Sequence, residues 1–203
     1  MGIPVFLTQF TLGVSMSALS ARVVEEFYRF CNWAYEVWLT HRGLFDNNPR
    51  AEDLKNSFAN DAMARLSEIT QEYLLHQIAK LHDPAVQAGQ VNLGIEYIVK
   101  FGAWSPAVLA ELEQLQVKLN GFAQSLRGAR NKILSHNDLV TILSGSTLGA
   151  FPAGADCAYF DSLQEFVNKV HSDVIGGPAP FNDLVSNDIA GLLGMLKSGE
   201  GNP

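Results

Sequence analysis

The chain has 203 residues and a net charge of −7, with 47% apolar and 17% charged residues. That is apolar material for one sizeable core and too much for a disordered chain. The acidic balance argues against a general nucleic-acid coat or an anionic-membrane binder, and two cysteines, Cys31 and Cys157, make neither a disulfide framework nor a zinc site by themselves.

Met1 to Ala21 carries no charge and includes an apolar run, but the first cation is Arg22, so the basic start of a signal peptide is missing. Thr8, Gln9, Thr11, Ser15 and Ser17 interrupt the run too often for a membrane span. The expectation is a cytoplasmic protein with a peripheral N-terminal segment, residues 1–17. A translation start at Met16 is an open alternative.

From Ser17 the pattern turns helical. Val24, Phe27, Cys31, Ala34 and Trp38 recur every three or four residues and form one stripe. Gly43 and Asp46-Asn47-Asn48-Pro49 end it. A second long helix carries its apolar residues at Ala62, Leu66, Ile69, Tyr73 and Leu81, and stops at His82-Asp83-Pro84, because Pro84 disfavours helical geometry at Asp83. A shorter apolar helix follows around Leu93 to Phe101.

Ser105-Pro106 opens a fourth helix: Ser caps free N–H groups, and Pro sits where its missing N–H costs nothing. Leu109, Leu112, Leu115, Leu119, Phe122 and Leu126 form its stripe, which reaches into the 130s. Ser144 to Gly154 reads as a loop, and a fifth helix is expected near Ser162 to Val174. Gly176-Gly177-Pro178-Ala179-Pro180 breaks the chain before a last helix at Leu184 to Leu196, with residues 198–203 as a loose tail. No segment alternates for long, and only Thr141-Ile142-Leu143 hints at a strand. The fold class is all-α, a single-domain bundle of five to six helices over residues 18–197.

Familiar sites are absent: no Walker-type glycine loop, His-Glu-x-x-His pair, Gly-x-Ser-x-Gly elbow or Cys-x-x-Cys. His41, His76, His82 and His171 lack ligand spacing and read as surface or helix-end histidines. Trp33, Trp38 and Trp104 read as core or subunit-interface aromatics, and Cys31 as an inert small hydrophobe. Glu25 and Glu26 point about 100° apart on a helix and do not work as a pair.

One stretch differs. Between Glu113 and Asp138 there is no acidic residue, while Lys118, Arg127, Arg130 and Lys132 all fall inside it. A local basic surface on an acidic protein suits an anion or a phosphate backbone, and it equally describes a solvated helix face. The same stretch holds Arg130-Asn131-Lys132-Ile133-Leu134-Ser135-His136-Asn137-Asp138, closing the long fourth helix.

Arg-Asn-Lys-x-x-x-His-x-Asp in this position resembles the Arg-x(4–6)-His signature of the HEPN superfamily. The pattern is most similar to its AbiU2-like branch, named for abortive-infection proteins. Leu81-His82-Asp83-Pro84, Val91-Asn92-Leu93, Asp188-Ile189 and Leu192-Leu193 share in that resemblance, which spans roughly residues 18 to 197. It implies a helical bundle that dimerises. It also implies either a metal-independent endoribonuclease, in phage defence, stress or toxin–antitoxin biology, or a non-catalytic module binding RNA, nucleotide or a partner protein. A purely structural dimeric bundle is a third alternative. Arg130 and His136 match the signature positions, and Asn131 matches the polar residue that commonly follows the Arg. Asp138 stands where members paired with nucleotidyltransferases carry a modified tyrosine, which argues against that subtype.

The chemistry fits the resemblance. RNA is cut without metal when its 2′-hydroxyl attacks the adjacent phosphate, a step open only to RNA. It needs a base, an acid and positive charge on the crowded phosphorane. Histidine exchanges protons near neutrality, and arginine is a permanent planar cation for two phosphate oxygens. Six residues on a helix separate the pair by about 120° around and about 9 Å along the axis, a gap that Arg130 can span. Asn131, Lys132 and Arg127 would bind or orient substrate, and Asp138 would hold His136. No metal or cofactor is expected. Expected partners are RNA as substrate, a second copy of the chain, and a neutralising antitoxin-like protein, with no membrane. One histidine per motif cannot be base and acid at once, so the active unit is expected to be a dimer with both motifs facing one cleft.

Overall fold

Ser20 starts the first helix by capping it: its Oγ accepts from the Val23 N–H at 3.4 Å, and its carbonyl accepts from Val23 and Val24. The computed structural model describes residues 19–46, 60–129 and 153–199. Helix α1 runs over Ala21–Phe45, so it begins four residues after Ser17 and outlasts Gly43. Its buried stripe includes Val24, Phe27, Cys31, Ala34 and Trp38, as the periodicity predicts, and continues through His41 and Phe45. The remaining helices are α2 (Asn60–Leu81), α3 (Ile95–Phe101), α4 (Pro106–Ala129), α5 (Ala155–Val174) and α6 (Leu184–Gly199). These six helices form an all-α domain among the described residues. None of them is long and apolar enough to cross a membrane.

The core lies where α1, α2, α4 and α5 meet. α1 packs on α2, α5 and α6, and α4 packs on α2, α3 and α5. An aromatic seam joins α1 to α5: Phe27 meets Phe166 edge-on at 5.9 Å, and Trp38 stacks on Phe160 at 4.7 Å. Each fully buried phenylalanine contributes roughly 1.5–3 kcal/mol relative to exposure. Ile189 and Leu193 of α6 form a smaller cluster with Leu44, Met63 and Val185.

Three expectations change. The fifth helix starts at Ala155, seven residues before Ser162, because Gly154 (φ 80°) takes a left-handed turn that lets the helix begin at once. The last helix runs to Gly199, into the stretch read as tail. A two-residue hairpin, β1 (Val86–Gln87) with β2 (Gln90–Val91), pairs Val86 with Val91. Its turn puts Ala88 (φ 50°) and Gly89 at positive φ, the geometry of a tight hairpin, so four residues pair without any long alternation. Residues 1–17 and Thr141-Ile142-Leu143 lie outside the described residues.

The fourth change concerns α2. Of its expected stripe only Leu81 is buried; Ala62, Leu66, Ile69 and Tyr73 are exposed. The core takes Leu74, Leu75, Ile78 and Ala79 instead. At about 100° per residue, Ala62, Leu66, Ile69 and Tyr73 share a sector about 60° wide, on the far side of the helix from Leu75 and Ile78. The helix is apolar on two faces, and the regular one points outward.

The Gly- and Pro-rich segment after α5 is stapled by side-chain amides. The Tyr28 hydroxyl donates to the Pro180 carbonyl at 3.0 Å, and the Asn32 Oδ1 accepts from the Asn182 N–H at 2.7 Å. Gln164 bonds both Ala179 and Phe181, and Asn168 accepts from Ala179. Asn182 then caps α6 through Leu184.

Candidate functional site

The helix leading into the motif is well determined by its own sequence. The Ser105 Oγ accepts from the Val108 N–H at 3.3 Å, Pro106 takes the first helical position, and Leu112, Leu115, Leu119 and Leu126 bury one face. Leu109 and Phe122, also in the expected stripe, are half-buried. The backbone of α4 continues through Arg127 to Ala129, the residue before Arg130. Arg130, Asn131, Lys132, His136 and Asp138, and the side chain of Arg127, lie outside the described residues.

Of the acid-free stretch, Lys118 is placed. It is exposed, and it lines a cavity of about 430 Å³ between the second half of α4 and the first half of α5, with Phe122, Ser125, Ala158, Tyr159 and Ser162. A space of that size accommodates a small ligand. The Ser125 and Ser162 hydroxyls donate to the carbonyls of Phe122 and Ala158, so they offer acceptor lone pairs outward. Phe122 stacks on Tyr159 with ring centroids 4.7 Å apart, forming an aromatic wall.

Behind that wall lies a polar network which reading along the chain cannot find. His82, just past the end of α2, has Nδ1 at 2.9 Å from the Asn120 Oδ1 and Nε2 at 3.1 Å from the Tyr159 hydroxyl. The amide oxygen only accepts, so Nδ1 donates to it, while Nε2 meets the phenol hydroxyl. Burial pushes the Tyr159 phenol well above its ordinary value, and nearby Cys31 adds to the effect. The phenol therefore stays a donor, and the three residues tie α2, α4 and α5 together at one point. His82 is at a helix end, as expected, and is integrated rather than solvated.

The other singled-out residues resolve as follows. His41 stands near a helix end, in the last turns of α1, but is buried there, with Nδ1 2.8 Å from the Thr70 hydroxyl. The helix-end His171 bonds the Gly177 carbonyl at 2.7 Å. Cys31 is fully buried, and burial holds its thiol well above the ordinary range, as an inert hydrophobe requires. Trp38 donates to Asp156 at 2.8 Å under the Arg42 guanidinium, and Trp104 donates to the Ile98 carbonyl. Trp33 is exposed and donates to the Tyr73 hydroxyl at 3.1 Å. Glu25 and Glu26 do not pair; Glu26 binds Arg29 at 2.8 Å. Among the described residues, no group of three or more His, Cys, Asp or Glu side chains could hold a metal ion.

Among the described residues six helices form an all-α domain, and the long fourth one runs up to an Arg-x(5)-His motif, as in a HEPN-type domain. The family model HEPN_AbiU2, described as AbiU2, matches residues 16–192, and the chain belongs to that family. No curated protein and no solved structure matches it significantly.

Proposed function

We propose that this chain is a metal-independent endoribonuclease of HEPN type, acting in phage defence, stress or toxin–antitoxin biology in the cytoplasm. The reading is carried by Arg130 and His136, at the Arg-x(5)-His spacing, within the stretch matched by the AbiU2 family. His136 takes the proton of the 2′-hydroxyl, whose oxygen bonds to the neighbouring phosphorus. Arg130 neutralises the phosphorane, and the bond to the 5′-oxygen breaks as that oxygen receives a proton. The products are a cyclic phosphate end and a 5′-hydroxyl end. Lys132 and Arg127 draw in the polyanion, Asn131 orients it, and Asp138 holds the imidazole. Lys118, exposed on α4, adds a further cation on the same helix.

The acid for the 5′-oxygen comes from His136 of a second copy, with both motifs facing one cleft. An antitoxin-like protein would neutralise activity by covering that cleft.

Total RNA incubated with purified protein, with and without EDTA, tests the reading. Cutting that persists in EDTA and leaves cyclic phosphate ends supports it. Tight binding without cutting would assign the chain to the non-catalytic modules instead. Arg130→Ala and His136→Ala should each abolish cleavage while circular dichroism and thermal melting stay at wild-type values. A large loss of stability in both would make the pair a structural contact. A purified heterodimer of wild-type and His136→Ala chains should fall far below half activity; retention of half or more would rule out a shared cleft.

A further inference from the structure

The cavity between α4 and α5 has a regular construction. Lys118, Phe122 and Ser125 line it from α4 at the spacing of one helix face, and Ala155, Tyr159 and Ser162 repeat the same spacing on α5. At matching places between them stand Gly121 and Ala158. Helices that meet through such faces close the gap when larger side chains interdigitate there. Here a Cβ built at Gly121 would meet nothing within 4 Å, so no close approach of another element calls for a glycine. A glycine inside a helix costs roughly 1 kcal/mol relative to alanine. What the two small residues leave is a space of about 430 Å³, within the range of small-molecule sites.

We propose that this cavity binds a small amphipathic acid: a flat apolar body, one anionic head group, and an N–H or O–H donor. The body follows from the walls, which are the Phe122 and Tyr159 rings with Gly121, Ala155 and Ala158. The donor follows from the serines. Both hydroxyls already donate to helix carbonyls, so what they offer a ligand is acceptor lone pairs.

The head group follows from charge. Among the described residues lining the cavity, Lys118 is the one that is charged, and it has no ion-pair partner among them, whereas Lys100 and Lys169 are paired with Glu96 and Glu111. The acids of the neighbouring turns of α5 are turned towards α1. Asp156 accepts from the Trp38 indole, and burial, Asp183 and Asp161 together raise the Tyr35 phenol, which places the Asp161 carboxylate on the α1 side. One unpaired cation against an apolar wall complements a single anionic head. A polyanion needs several cations along its track, so the cavity is not matched to a nucleic-acid strand. Nothing in this inference rests on RNA cleavage, and its test contains no RNA.

The probe is indole-3-acetate, which has one carboxylate, a flat apolar body and one N–H donor, and 3-methylindole is its uncharged counterpart. In a two-dimensional NMR titration of the wild-type chain, the amide signals of Gly121, Ala158 and Ser162 should move together and saturate, with a dissociation constant at or below about 1 mM. This measurement needs no substitution. Shifts that do not saturate, or that fall elsewhere on the chain, overturn the proposal.

The uncharged 3-methylindole should bind at least about fivefold more weakly than indole-3-acetate, and Lys118→Gln should weaken indole-3-acetate by a similar factor without changing 3-methylindole. Gly121→Leu, which fills the cavity from a position with open space, should remove binding of both while the circular dichroism spectrum stays unchanged. Ile69→Glu, on the exposed apolar face of α2, should bind the probe as the wild type does. Undiminished binding by Lys118→Gln or Gly121→Leu, or a loss in Ile69→Glu, would place the probe outside the cavity and defeat the proposal.

Discussion

Trp38 and Trp33 sit five residues apart on α1, the first 8% exposed and the second 48%. Trp38 belongs to the seam between α1 and α5, where it stacks on Phe160 and its indole N–H reaches Asp156. Trp33 belongs to the face shared by α1 and α2, where its N–H reaches Tyr73 and its ring meets solvent. Both are large aromatics with a satisfied polar atom, so neither composition nor hydrogen bonding separates them. Their angular position on the helix does: Trp38 lies in line with Phe27, Cys31 and Ala34, and Trp33 lies more than a quarter-turn away. A helix can therefore serve two apolar surfaces, one closed by the chain itself and one open to solvent.

The sharpest way to break that contrast is to remove a large ring from the seam. Phe27→Ala, fully buried against Phe166, should destabilise the fold by about 3–5 kcal/mol in chemical denaturation. A cost below about 1 kcal/mol would mean that the seam is not the centre of the core. Tyr159→Phe should cost less, about 1–3 kcal/mol, because it keeps the ring and removes the hydroxyl that meets the His82 Nε2. If the loss were nil, the three-residue network would be incidental to the packing of α4 on α5.

The seam also carries an alkaline signature. Burial raises both Cys31 and Tyr159 above their ordinary values of 9.0 and 10.0. The folded state then holds protons that the unfolded chain releases, so this stabilisation is complete below those values and fades as pH rises above them. Unfolding free energy should fall above about pH 9, by up to about 1.4 kcal/mol per pH unit for each group. In the native state at neutral pH a thiol reagent should leave Cys31 unmodified until the chain unfolds. Rapid modification of both cysteines would place a breach in the seam.

The smallest effect is expected on the other face. Ile69→Glu, on the exposed face of α2, should change unfolding free energy by no more than about 0.5 kcal/mol. A loss of several kcal/mol would show that Ile69 is part of the chain's own core, and the contrast between the two tryptophans would collapse.

Among the described residues, the helices and most of their boundaries were legible because they depend on neighbours in sequence. Ser20 and Ser105 cap the helices that follow them, and the chain leaves α2 at His82-Asp83-Pro84. The candidate site was legible in a narrower sense. Arg130 and His136 are close in sequence and form a spacing motif, whereas His82, Asn120 and Tyr159 are separated by 38 and 77 residues and share no pattern that a linear reading can detect.

By itself the sequence determined an all-α chain, the core stripe of α1 and membership in a family with an Arg-x(5)-His motif, since helix periodicity, caps and short motifs act within a few turns. The tertiary structure alone decided which apolar stripe of α2 is core and which is surface. Periodicity marks an apolar face, but the direction in which a helix meets its neighbours is set by packing over the whole chain. The same holds for the segment of glycines and prolines after α5. It reads as a break, and it is held by Tyr28, Asn32, Gln164 and Asn168 because folding brings α1 and α5 alongside it, where their side chains satisfy backbone groups that would otherwise be lost to the interior.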